Sequence, residues 1–160
     1  MNEYKRILVV AAMIQSCRIA IRQGVSLAQK YGAELFVLHS IYNPFGPKEW
    51  GLGTRALAEE YEKSILDTKR KLSGLVNAER TQGMAIKEMV REGEPFGEIL
   101  KVIEEENIDL VVLLAHEEGR LEFFLFGRSL EELVRKMPCS IMLVKKEPGI
   151  SIDEEEEKDE

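Results

Sequence analysis

Four short apolar runs constrain this chain more than anything else in it. They are ILVVAA (Ile7–Ala12), LFVLHSI (Leu35–Ile41), LVVLLA (Leu110–Ala115) and SIMLV (Ser140–Val144). Successive side chains of a strand point to opposite faces, so an unbroken apolar run needs cover on both. Strands of that kind belong to a parallel sheet held between helix layers. AIKEMVRE (Ala85–Glu92) alternates in part and reads as a fifth strand.

Helical spacing fills the gaps. Ile21, Val25 and Ala28 follow Ser16, an N-cap candidate, and Gly32 stops the pattern. Leu57, Tyr61, Ile65, Leu72 and Val76 mark a longer helix. Phe96, Ile99, Leu100 and Ile103 mark a third, with Pro95 in its first turn. Leu130, Leu133, Val134 and Met137 mark a fourth, which Pro138 ends. Strands alternating with helices in this order predict an open, doubly wound α/β sheet.

The charge is unevenly placed. The formal net charge is -7, but residues 151–160 (SIDEEEEKDE) hold seven acids and one Lys. The rest carries 22 acids against 21 bases. A near-neutral body gives no basic face for duplex nucleic acid. We therefore divide the chain into an α/β domain over 1–147 and an acidic tail over 148–160, expected to be disordered because self-repelling acids have nothing to bury. Two cysteines rule out a disulfide framework and fit a reducing compartment. No apolar run approaches the roughly 18 residues of a membrane span, and the start, MNEYKRILVV, lacks a signal-peptide layout. The expectation is a cytoplasmic protein with no membrane partner.

Open α/β sheets bind ligands beyond the carboxyl ends of their strands, where the strand order reverses. Here that edge follows Ala12, Ile41, Arg91 and Ala115. The segment HEEGRLEFFLFGRS (His116–Ser129) leads from the fourth strand to the last helix, with glycines at Gly119 and Gly127. Gly127-Arg128-Ser129 reads first as a tight turn with Ser129 as helix cap. The same three residues at a helix start also suit an anion.

The second half resembles the universal stress protein family. Gly93-Glu94-Pro95, Asp109-Leu110-Val111-Val112, His116, Leu121, Gly127 and Pro138-Cys139 fall at that family's spacing. KRILVV at the first strand and ELFVLHSI, with His39, at the second agree with it. The resemblance covers residues 4–146. It implies a five-stranded parallel sheet of order 3-2-1-4-5 and a homodimer whose last strands pair. An apolar last strand at a sheet edge would invite aggregation unless paired, which makes Ile141 and Leu143 the expected interface residues.

Many members of that family bind ATP through a glycine loop, and here the spacing survives while the residues do not. Leu114 and Glu117 stand at the first two glycine positions. Gly127 is retained, and Arg128 replaces the Ser/Thr. The family's adenine-reading Asp is Ala12 here, and the glycine after it is Met13. Leu114 and Glu117 remove backbone freedom and add bulk. Glu117 and Glu118 also place negative charge where a triphosphate would lie. A unit charge about 4 Å from another costs about 4 kcal/mol at an effective dielectric of about 20. That is about a thousandfold in affinity.

The remaining residues read mainly as structural. His39 and His116, the only histidines, sit near strand ends without a cluster of metal ligands. Cys139 fits a packed position; Cys17, near a helix start, would be an activated thiol only if exposed. Phe123-Phe124-Leu125-Phe126 is read as filling the would-be nucleotide cleft or serving a partner surface. Tyr42–Gly53, with two Pro, three Gly and Trp50, is a loop. No catalytic or metal-binding residue is assigned. The reading is a non-enzymatic, dimeric stress protein that works through protein contacts or an unidentified ligand, with no tightly held cofactor. The alternative is an adenine-nucleotide (ATP or ADP) switch using Gly119, Gly127, Arg128 and Ser129. An enzyme, such as a slow ATP hydrolase, is the least favoured reading.

Overall fold

The computed structural model describes residues 3–11, 17–41, 55–80, 83–115 and 130–145. Nine elements alternate along it: β1 (Arg6–Val10), α1 (Arg18–Tyr31), β2 (Glu34–Ile41), α2 (Arg55–Glu79), β3 (Ile86–Glu92), α3 (Pro95–Glu106), β4 (Leu110–Ala115), α4 (Leu130–Lys136) and β5 (Ser140–Lys145). The strands form one parallel sheet of order β3-β2-β1-β4-β5. The α/β sheet and its order are as expected, and all five strand assignments hold to within a residue or two.

β1 is the centre. Ile7 pairs in register with Leu35 on one side and Leu110 on the other. Ile7, Leu8 and Val9 are wholly buried, as consecutive apolar residues of a doubly covered strand must be. Alternation sends Ile7, Val9 and Ala11 into one core with Cys17, Ala20, Ile21 and Val25 of the α1 region and Leu72 and Val76 of α2. Leu8 and Val10 enter the second core, with Phe96, Ile99, Val102 and Ile103 of α3 and Leu133 of α4.

One expectation needs correction. Val134, placed on the apolar stripe of α4, is 57% exposed, whereas Leu133 is buried. Neighbours on a helix lie about 100° apart, and here the sheet-facing side of α4 takes Leu133 while Val134 turns to its flank. Cys17 is fully buried, so the exposure that an activated thiol would need is not met. Ser16 and the 148–160 tail lie outside the described residues.

Charged side chains tie the amino edge together. The Asp109 carboxylate accepts from the N–H groups of Lys5 (2.8 Å) and Arg6 (3.2 Å), and its own N–H donates to Arg6 O at 3.0 Å. Arg6 bonds the Glu106 carbonyl and carboxylate and the Glu34 carboxylate, and its guanidinium stacks 4.9 Å from the Phe36 ring centre. The Asp of the Asp-Leu-Val-Val motif is therefore a clasp between β1 and β4.

Candidate functional site

The chain leaves β1 toward β2 on one side and returns to β4 on the other, so the carboxyl ends of β1 and β4 part. That divergence creates the crevice used by ligands of open α/β sheets. The described residues along this edge are Ala11, His39, Ser40, Gly93 and Ala115.

Hydrogen bonds stitch the β1–β2–β3 side of the edge. Ala11 N–H donates to Leu38 O at 2.8 Å. His39 Nδ1 lies 2.6 Å from Ala11 O. A carbonyl only accepts, so Nδ1 is the donor in this contact. Ser40 Oγ donates to Gly93 O at 3.1 Å, and Gly93 N–H donates to Ile41 O at 3.0 Å. Gly93 has φ +151°, a backbone conformation that L side chains rarely adopt.

Two of the helix starts on this edge, those of α3 and α1, differ in charge. Glu94 is the N-cap of α3, its carboxylate accepting from Phe96 N–H (3.3 Å) and Gly97 N–H (2.8 Å), with Pro95 in the first turn. These are the N–H groups an anion would use, so α3 is capped by its own carboxylate. The first turn of α1 has no acidic residue. Self-capping is thus seen at Glu94. The tripeptide Gly-Glu-Pro carried this signal: a turn residue, an acceptor and a helix-starting proline in sequence.

Leu114, at the position of the family's first glycine, lies inside β4 opposite Val144 and is 3% exposed. It packs in the same core as Ala11 and Cys17. A glycine there would leave backbone open to a ligand, whereas the leucine fills that place with core.

Ile141 is half-buried against the second core, and Leu143 is 42% exposed. Cys139 is half-buried, and burial, with the Asp109 charge second, pushes its thiol up to about 11. Gly119, Gly127, Arg128 and Ser129 lie outside the described residues, as do Ala12, Met13, Trp50, His116, Glu117, Glu118 and Phe123–Phe126. Among the described residues no group of three His, Cys, Asp or Glu is placed to hold a metal ion, and no helix is long and apolar enough to cross a membrane.

Comparison with known proteins agrees with this architecture. Universal stress protein MJ0577 of Methanocaldococcus jannaschii is 23% identical over 155 residues, covering 89% of this chain and 96% of its own. Among solved structures, a universal stress protein in complex with cAMP matches with a TM-score of 0.61 at 15% identity, over 90% of this chain and 98% of that one. The universal stress protein of Archaeoglobus fulgidus in complex with dAMP also gives 0.61, at 18% identity, over 90% and 100%. The profile of the universal stress protein family matches residues 3–145. That span takes in every strand and both cores, and the chain belongs to the universal stress protein family.

Proposed function

We propose that this chain is a non-enzymatic, cytoplasmic stress protein that self-associates through β5. It acts through protein contacts or an unidentified small ligand and does not hold ATP tightly. The observation that carries the reading is Leu114: a packed core leucine where a phosphate loop needs a bare backbone. The test is the melting temperature with and without millimolar ATP, ADP or AMP plus magnesium. A ligand at a hundredfold excess over its Kd adds about 2.7 kcal/mol. No shift is expected with ATP, and a rise of several degrees overturns the reading.

The two sheet edges support self-association through β5 rather than β3. On β3, Lys87 and Arg91 are held by Glu106 and Glu105 of α3. Long paired charges blunt an edge against strand addition. On β5, Leu143 is exposed and Ile141 half-covered. Sedimentation should give a dimer, and Leu143→Lys should shift it to monomer; a wild-type monomer at micromolar concentration refutes the proposal.

A second reading is favoured by the complexes of similar structures with cAMP and dAMP. Both ligands are adenine nucleotides with a single phosphate, which meets less repulsion from Glu117 and Glu118 than a triphosphate would. Under this reading Gly119, Gly127, Arg128 and Ser129 hold the phosphate. AMP alone would then raise the melting temperature, and Glu117→Gly would add affinity for ATP.

A further inference from the structure

Glu98 is the buried charged residue of the described structure, 7% exposed. It stands in the first turn of α3 and folds back over the turn between β3 and α3. A β-carbon at Gly93 would be 2.7 Å from Glu98 Oε1. Lys101 Nζ lies 3.0 Å from the carboxylate and Arg91 Nη1 3.9 Å. Gly93 itself is clamped to β2, through its N–H to Ile41 O and its carbonyl to Ser40 Oγ.

We infer that Glu98 is a positioning residue whose charge locks the Gly93 turn and, through it, the Ser40 wall of the carboxyl edge, rather than stabilising the fold. Burying a carboxylate is costly, and replacing a buried ion pair by an apolar residue of similar size is often neutral or stabilising. Removing Glu98 strands no buried cation: the Lys101 side chain is 64% exposed, and Arg91 keeps Glu105. What the substitution does remove is the charge that ties this side chain to Lys101 and Arg91 while it packs against Gly93. A glycine with wide backbone freedom is then held only by its two bonds to β2. None of these contacts involves the residues proposed to hold a nucleotide.

Residue-resolved amide hydrogen exchange on the full chain, without ligand, tests it. In Glu98→Met the Gly93 amide should exchange at least tenfold faster, while amides of β1 and β4 and the melting temperature stay at wild-type values or improve. Glu98→Gln, isosteric and neutral, should show the same pattern and carries the test if the Met variant does not fold. Unchanged Gly93 exchange overturns the inference. So does uniform acceleration at every amide with a fall in melting temperature, the signature of an ordinary stability role.

Discussion

Gly24 of α1 lies so close to Val9 of β1 that a β-carbon at position 24 would sit 2.3 Å from Val9 Cγ2. Val9 is wholly buried on the central strand and has nowhere to move. Two effects of Gly24→Ala oppose each other. Helix propensity favours Ala by about 1 kcal/mol, while overpacking at a site without free volume costs about 3 kcal/mol. Overpacking wins. The variant should lose about 2 kcal/mol, seen as a melting temperature lower by roughly 4–8 °C. Gly74 of α2 is the control, since nothing lies within 4 Å of a β-carbon there. Gly74→Ala should gain about 1 kcal/mol.

Asp109 accepts from two backbone N–H groups at the start of β1. Asp109→Ala leaves Lys5 and Arg6 to solvent on a partly exposed edge, so the cost is moderate, about 1–2 kcal/mol. Urea denaturation should show a lower midpoint with an unchanged slope. An unchanged midpoint would mean that water replaces the carboxylate fully.

Glu79 sits against Arg22 and Arg18 of α1, and its pKa is lowered from 4.5, chiefly by the Arg22 hydrogen bond against the opposing effect of burial. A carboxylate with a depressed folded pKa adds stability above its unfolded value and loses it as pH falls through the folded one. Glu79→Gln should therefore melt below wild type at neutral pH. The two should converge as the pH falls through the lowered folded pKa, where the Glu79 carboxyl takes up its proton. Parallel melting curves across the whole range would refute the assignment.

The thiol of Cys139, raised to about 11 by burial and then by Asp109, is almost wholly protonated at pH 8, and thiolate is the reactive form. Cys17 is buried. Disulfide-exchange reagents at pH 8 should label both cysteines slowly in the folded protein and rapidly in urea. Fast labelling of Cys139 in the native state would contradict its burial.

How much of this was legible beforehand follows from which signals are local. The strand at 110–115 announced itself because burial on both faces leaves no polar position. The start of α3 was legible from Pro95, yet the capping role of Glu94 was not read from it, because Glu can serve many ends. Glu98 left no mark at all. Its sequence neighbours show an acid in an amphipathic helix, and only the turn folding over it makes that acid buried.

The sequence by itself determined the class of fold, the order of elements and the absence of the glycines a phosphate loop requires. Those depend on side-chain period and on residues missing from a spacing, both readable along a line. The tertiary structure decided which helix faces β1 at Gly24, that Leu133 and not Val134 enters the core, and that His39 closes on Ala11 across two strands. Each of these is a contact between residues distant in sequence. Its geometry is set by the packing of whole elements, which no local pattern encodes.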